Sequence, residues 1–159
     1  MPAFADRVGE IAGWNDVKLL TVAVDRLKRW YRRGLLCIGD AAHAMSPVGA
    51  VGINLAVQDA VAAANILADP LFSNTVDEAA LRRVQERREL PTRVIQRGQV
   101  FIQQRVISGV LARTDKIEPP LPVRLLNAFP ILRRFPGRII GLGVRPEHIR
   151  TPERPMAKP

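Results

Sequence analysis

The stretch 35–54 constrains the fold more than any other part of this sequence. Its first four residues, Leu35 to Ile38, form a continuous apolar run, as expected of a central strand that is covered on both faces. Gly39 and Asp40 end this run, and small residues follow. The sequence therefore predicts a buried strand with a carboxylate directly at its carboxyl end, where ligands collect in open α/β sheets.

A glycine-rich turn into a helix follows this predicted strand. Gly49 and Gly52 stand three apart after Pro47, and glycine lets the backbone approach a ligand closely. Helical spacing begins at once, and a helix N-terminus carries about half a positive charge, which suits an anionic group. The spacing predicts one apolar stripe that packs on the sheet: Ile53, Ala56, Val57, Ala60, Val61, Ala64 and Leu67.

The residues of this stretch carry a family resemblance. The run 39–43 (Gly-Asp-Ala-Ala-His), Pro47, Gly49, the run 52–54 (Gly-Ile-Asn) and the run 58–60 (Gln-Asp-Ala) resemble the second flavin-binding motif of the FAD-dependent aromatic hydroxylases, the para-hydroxybenzoate hydroxylase family. The resemblance implies that FAD is bound by Gly39, Asp40, Pro47, Gly49, Gly52, Ile53 and Asn54. Asp40 would accept hydrogen bonds from ribityl hydroxyls, and the N–H groups of 52–54 would face the pyrimidine end of the flavin. We predict no catalytic side chain and no metal ligand.

For the complete enzyme, the resemblance implies a monooxygenase that uses NADH or NADPH, dioxygen and an aromatic, quinone-like or otherwise lipophilic substrate. A reductase, dehydrogenase or halogenase on the same scaffold is an alternative, and a non-catalytic helical remnant or interaction module is another. The family also has an N-terminal strand–GxGxxG–helix unit, and this sequence contains no such pattern. We therefore expect a C-terminal portion that corresponds to roughly the last two-fifths of a family member.

The expected fold class is α/β, in three parts. Residues 1–33 are expected to end a substrate-domain β-sheet, with a strand at 17–27, and to cross back to the next part. Residues 34–70 are expected to form the strand, loop and helix of a Rossmann-like FAD-binding domain. Residues 71–159 are expected to form a mainly helical region with a proline-rich tail.

Two helices are expected within residues 75–111. Thr75 and Glu78 have the spacing of a capping box, and Pro91 is expected to kink or divide the helical stretch. Leu81 and Val84 are predicted to face inward. The charged side chains of this stretch are predicted to form a solvated face: Arg82, Arg83, Glu86, Arg87, Arg88 and Glu89.

Four residues near the motif have a structural interpretation that we favour over a functional one. Trp30 could border the active site, but packing at a domain junction is the favoured role. His43 could relay a proton, but a hydrogen bond that holds the loop is more typical of such a turn. Asp59 is predicted to pack the start of the helix. Cys37, the single cysteine, is predicted to be a buried small apolar residue, which fits a reducing cytoplasm.

The chain is strongly basic, with a formal net charge of +9. Bulk charge alone favours non-specific association, and no aromatic-interleaved basic patch supports a specific nucleic-acid partner. The segment 121–135 combines phenylalanines with arginines, so contact with a membrane surface is possible, but packing against the FAD domain is favoured. No uninterrupted apolar run approaches the length that spans a bilayer. A homo-oligomer remains open.

Overall fold

The computed structural model describes residues 7, 9–18, 23–104 and 121–150. Two long helices that pack against each other dominate these residues, α1 (Gly52–Phe72) and α2 (Glu78–Ile102). A hairpin of two short antiparallel strands, β1 (Tyr31–Arg32) and β2 (Leu35–Leu36), precedes them. Two shorter helices follow, α3 (Leu121–Ala128) and α4 (Arg134–Leu142), with the 3-10 turn Pro130–Arg133 between them.

The main core lies where α1, α2 and the hairpin meet. Leu67 of α1 packs against a stripe on α2, and the hairpin side chains cover this contact. The stripe consists of Ala80, Leu81 and Val84, which recur at steps of one and three residues, so the inward positions predicted for Leu81 and Val84 are confirmed. A second cluster, formed by Val51, Leu55 and Ile95, ties the start of α1 to the later turns of α2.

The predicted buried strand at 35–38 differs from the structure. Only Leu35–Leu36 lie in a strand, Leu35 is 45 % exposed, and Cys37 is half-buried rather than buried. A strand is covered on both faces only when a larger sheet surrounds it, and β1 is the only strand beside β2 in the described residues. Of the strand expected at 17–27, residues 19–22 lie outside the described residues, and 23–27 have no regular structure.

Of the predicted apolar stripe of α1, only Leu67 is buried, so most of the stripe lies on the wrong face. The helix buries Leu55, Asp59, Ala62 and Leu67, whereas Ile53 is 76 % exposed. Asp59 decides this rotation, because its carboxylate pairs with Arg88 inside the α1–α2 contact. A buried charge without a partner is costly, so Asp59 must face Arg88 on α2. The apolar residues on the same face of α1 as Asp59 are therefore the ones that are buried.

Helix α2 also differs from expectation at two points. Its N-cap is Asp77, whose Oδ1 accepts a hydrogen bond from the N–H of Ala80 at 2.7 Å, so the capping box predicted at Thr75 is wrong. Pro91 does not divide the helix, which continues to Ile102. Buried side chains on both sides of Pro91, such as Val84 and Ile95, hold the two halves against the rest of the protein.

The stretch Val48–Phe72 is long and apolar enough, by length and composition alone, to cross a bilayer. The core helix of a globular domain passes the same test. Here the helix carries Asp59 in a fully buried ion pair with α2. Because that pair requires α2 as a packing partner, we describe α1 as a core helix.

Candidate functional site

An open cleft of about 670 Å³ lies at the N-terminal end of α1. Four of the predicted site residues line it, namely Asp40, Pro47, Gly52 and Ile53. The rest of its wall is mainly apolar and consists of Ala23, Ala44, Met45, Ser46, Ala50, Ala56 and Val57. The cleft therefore offers one carboxylate, a helix N-terminus and an apolar wall to the same ligand.

The turn that carries Asp40 depends on Gly39. This glycine has a φ of +57°, and a Cβ atom placed on it would lie 3.0 Å from the Cβ of Ala56. Its carbonyl accepts hydrogen bonds from the N–H groups of Ala42 and His43, both at 2.9 Å. A left-handed backbone and close contact with α1 both require glycine. Asp40 follows this glycine and lines the cleft, and no described residue hydrogen-bonds to its carboxylate.

A buried polar network supports this turn from below. Oδ2 of Asp59 lies 2.6 Å from Nε2 of His43 and accepts a hydrogen bond from the N–H of Gly39 at 3.1 Å. Oδ1 of Asp59 accepts a hydrogen bond from Nε of Arg88 at 2.9 Å. The side chains of all three ionisable residues are fully buried. The structural roles expected of His43 and Asp59 agree with these contacts, whereas the solvated position predicted for Arg88 is wrong.

The network sets the charge state of Asp59. Burial by itself would raise the pKa of this carboxyl, because the interior disfavours a charge. The hydrogen bonds from His43, Arg88 and the Gly39 N–H favour the carboxylate and outweigh burial, so the pKa of Asp59 lies below its ordinary value. Asp59 therefore stays ionised and holds both α2 and the Gly39 turn.

Trp30 closes the network on the hairpin side. Its ring lies 5.2 Å from the ring of His43, measured between centroids, and its side chain is buried. Its main-chain N–H donates to Oε1 of Gln85 at 2.9 Å. Trp30 does not line the cleft, so the packing role expected of this tryptophan agrees with the structure.

Two buried glutamines of α2 hold the loop that forms the cleft wall. Nε2 of Gln96 donates to the carbonyl of Ala44 at 3.0 Å, and Nε2 of Gln99 donates to the carbonyls of Ser46 and Val48 at 2.7 and 2.8 Å. Oε1 of Gln99 accepts the Ser46 N–H at 3.3 Å. An amide side chain that satisfies several loop groups at once positions the loop as a unit.

The first turn of α1 is uncapped. Val51, the N-cap residue, supplies no side-chain hydrogen bond, and the first N–H groups of any helix lack intrahelical partners. Gly49 has a φ of +81° and Ala50 a φ of +51°, so the turn Val48–Ala50 departs from helical geometry at these two positions. Asn54 uses its side chain elsewhere, since Nδ2 donates to the carbonyl of Ile140 at 3.3 Å. Gly39, Gly49 and Asn54 are not among the residues that line the cleft.

Some residues that build the site were missed from the sequence. Arg88 lies seven residues before Ile95 and four after Val84, on the same helical face, so its spacing signalled burial. Gln96 and Gln99 follow on neighbouring positions of that face. Their polarity led to the opposite interpretation, because a buried amide or guanidinium is explained only by partners that are 29 to 71 residues away in sequence.

Comparison with known proteins adds a family match. The profile of the family described as "FAD binding domain" matches residues 10–98. The chain is similar to 6-methylpretetramide 4-monooxygenase from Streptomyces rimosus, with 39 % identity over 140 residues, which is 87 % of this chain and 33 % of the relative. It is also similar to phenazine 1,6-dicarboxylic acid hydroxylase from Lysobacter antibioticus, with 41 % identity over 106 residues, which is 60 % of this chain and 24 % of the relative.

A third similar protein is an FAD-dependent monooxygenase from Calcarisporium arbuscula, with 30 % identity over 91 residues, which is 50 % of this chain and 19 % of the relative. The chain thus spans a third or less of the length of these curated relatives. The matched family segment contains the whole hairpin, the Gly39 turn, α1 and most of α2, so it includes the cleft and the network beneath it.

Proposed function

The chain belongs to the family of FAD-binding domains, and from this premise we propose that it is the flavin-facing part of an FAD-dependent monooxygenase. The observation that carries the proposal is the cleft, where Asp40, Pro47 and the first turn of α1 converge. The similarity to proteins named as monooxygenases and as a hydroxylase supports this class of reaction.

The residues at the cleft fit FAD by their chemistry. The carboxylate of Asp40 can accept hydrogen bonds from the vicinal hydroxyls of a ribityl chain. The N–H groups of Gly52, Ile53 and Asn54 have no intrahelical partners and can donate to the polar end of an isoalloxazine ring. Pro47 limits the motion of the loop, and Gly39 and Gly49 adopt the positive φ angles that its path requires.

When bound, FAD supplies the electron transfer between NADH or NADPH and dioxygen. This chain contributes placement, electrostatics and exclusion of water. The N-terminus of α1 would stabilise negative charge on a bound ring by about 0.3–2 kcal/mol. Ala44, Met45 and Val57 keep the wall of the cleft apolar, which strengthens every electrostatic contact within it.

We propose an aromatic or quinone-like substrate and a cytoplasmic location. The relative from Lysobacter is named for phenazine 1,6-dicarboxylic acid, and phenazine is an aromatic ring system, which supports the aromatic class. The apolar wall of the cleft suits a flat, lipophilic molecule beside the flavin.

Retention of flavin by the purified chain tests the proposal. FAD is added, the protein is desalted, and the visible spectrum and flavin fluorescence are recorded for the wild type, Asp40→Ala and Glu86→Ala. We expect a shifted flavin spectrum in the wild type, at least tenfold weaker binding in Asp40→Ala, and unchanged binding in Glu86→Ala, which removes an exposed carboxylate of α2. Equal flavin binding by all three proteins contradicts the proposed site.

A further inference from the structure

Many large apolar side chains of the C-terminal segment, residues 121–146, are exposed at the surface. Phe135 is 73 % exposed and Ile131 is 70 % exposed. They belong to a set of large apolar side chains at the surface of α3, α4 and the turn between them: Leu121, Leu125, Phe129, Ile131, Leu132, Phe135, Ile140 and Leu142. Large apolar side chains that are exposed together along one segment favour an interaction surface.

The same segment carries charge of one sign only. It contains Arg124, Arg133, Arg134, Arg138 and Arg145, with no lysine and no acidic residue. Arg133 is used inside the segment, where Nε donates to the carbonyl of Leu126 at 2.8 Å. No described carboxylate lies within ion-pair distance of Arg124, Arg134 or Arg138. The surface is therefore both apolar and cationic.

One side of the segment is attached to the rest of the protein. Ile139 packs against the cluster of Val51, Leu55 and Ile95. Nε2 of Gln58 donates to the carbonyl of Leu142 at 3.1 Å, and Asn54 holds the carbonyl of Ile140. The packing expected for residues 121–135 stays a prediction, since the described attachment lies further along the chain, at residues 139–142.

We propose that the C-terminal segment docks on the surface of an anionic lipid bilayer. An amphipathic surface with arginine and aromatic residues lies in the interfacial plane, where apolar side chains enter the acyl boundary and guanidinium groups reach the headgroups. The cytoplasmic leaflet carries a negative surface potential that attracts such a segment. The proposal does not depend on flavin binding.

Charge argues against other occupants of this surface. A second copy of the segment would bring five more arginines and no carboxylate, so pairing the segment with itself is opposed by like-charge repulsion. A nucleic acid would satisfy the arginines but would leave Phe129, Ile131 and Phe135 in water. An anionic bilayer satisfies both the apolar and the cationic groups.

Sedimentation with vesicles tests the proposal directly. The purified chain is mixed with vesicles of pure phosphatidylcholine, or of phosphatidylcholine that contains phosphatidylglycerol, at low and high salt. We expect strong, salt-sensitive binding to the anionic vesicles and at least tenfold weaker binding to the neutral ones. Equal binding to both vesicles, or no binding to either, overturns the proposal.

Paired variants distinguish the segment from the bulk charge of the chain. Arg134→Gln with Arg138→Gln is expected to weaken binding to anionic vesicles about fivefold for each arginine. Arg82→Gln with Arg83→Gln removes the same charge from the exposed face of α2 and is expected to have a clearly smaller effect. Equal losses in the two pairs would show that net charge alone drives binding, which overturns the proposal.

A second pair tests the apolar contribution. Ile131→Ser with Phe135→Ser is expected to weaken binding at least tenfold, whereas Leu71→Ser with Leu90→Ser replaces apolar side chains that are exposed on α1 and α2 and is expected to leave binding unchanged. Circular dichroism and gel filtration accompany each measurement. Membrane docking by this segment is overturned if both pairs lose the same vesicle affinity. It is also overturned if the wild type is a dimer that Ile131→Ser with Phe135→Ser dissociates.

Discussion

Residues 23–104 and the C-terminal segment 121–146 both contain many arginines but place them differently. In the first region Arg88 is fully buried and pairs with Asp59, and exposed arginines such as Arg29 and Arg82 have glutamate partners. In the second, the described arginines have no ion-pair partner, and large apolar side chains surround them at the surface.

The difference separates two uses of the same side chain. A buried guanidinium with a fixed partner acts as a structural connector, because it can be tolerated only where every neighbour is in place. An exposed guanidinium beside apolar side chains is available to an outside partner. The net charge of +9 therefore overstates the charge that an outside partner meets, since buried arginines such as Arg88 are not available to it.

Removal of Asp59 is expected to have the largest effect on the first region. Asp59→Ala leaves Arg88 and His43 buried without their common partner, so we expect a loss of about 3–5 kcal/mol in the free energy of unfolding. Urea unfolding measures this, with Glu86→Ala as a control that breaks an exposed pair and costs at most about 1 kcal/mol. Similar losses in the two variants would falsify the distinction between buried and exposed pairs.

Gly39→Ala is expected to have the next largest effect. The new Cβ would meet Ala56 at 3.0 Å on a left-handed backbone, which we expect to cost about 2–4 kcal/mol and to weaken flavin binding. Gly34→Ala is a matched control, since Gly34 has a φ of +75° but open space around it. If both variants lose the same stability, contact with α1 is not the reason for glycine at position 39.

Gln99→Leu tests how much one buried amide of the first region contributes to stability. The substitution leaves the carbonyls of Ser46 and Val48 without their donor, and we expect a loss of about 1–3 kcal/mol. Arg97→Leu, which changes an exposed position of the same helix, is the control. Urea unfolding and flavin titration are both measured for each variant. If the loop shifts in Gln99→Leu, we expect the free energy of flavin binding to fall by more than the free energy of unfolding.

The pH dependence of stability reports the Asp59 network. Because the pKa of Asp59 is lowered from 3.8 in the folded state, its contribution is complete above pH 3.8 and is lost as the pH falls through the folded value. A protonated carboxyl still forms hydrogen bonds, so we expect a smaller loss than in Asp59→Ala. Unfolding midpoints of the wild type and Asp59→Asn are compared from neutral pH to below 3.8. Parallel curves would show that Asp59 does not titrate with folding.

The smallest effect on stability is expected in the C-terminal segment. Phe135→Ser changes a side chain that packs on little of the protein, so we expect a change within about 0.5 kcal/mol. Leu81→Ser, at a buried position of α2, is the contrasting variant. A large loss of stability in Phe135→Ser would mean that this segment is part of the core, and the two regions would then not differ as described.

From the sequence, the proximity of Asp40, Pro47 and the start of α1 was predicted better than the packing of the helices and strands. The 39–54 stretch indicated a carboxylate, a rigid loop and a helix N-terminus together, because these residues are close in sequence and act through local backbone geometry. The rotation of α1 could not be predicted in the same way. Apolar residues lie on several faces of that helix, and the choice between them depends on Arg88, which is 29 residues beyond Asp59.

The sheet was mispredicted for a related reason. An apolar run such as 35–38 indicates that a segment could be buried, but burial requires neighbouring strands that the run itself does not specify. In the described residues β1 is the only such neighbour, and Leu35 remains largely exposed. The capping error at Thr75 was local, since Asp77 also precedes a helix and is the stronger N-cap residue.

The glutamines of α2 have a consequence for the order in which the protein folds. Gln96 and Gln99 hold loop carbonyls that precede them by about fifty residues, so the cleft wall reaches its final shape only after α2 has docked. Contacts of such long sequence separation require the closure of a long loop before they can form. The 44–48 loop should therefore be ordered only once α2 is docked, and its amides should exchange with solvent together with those of α2 rather than independently.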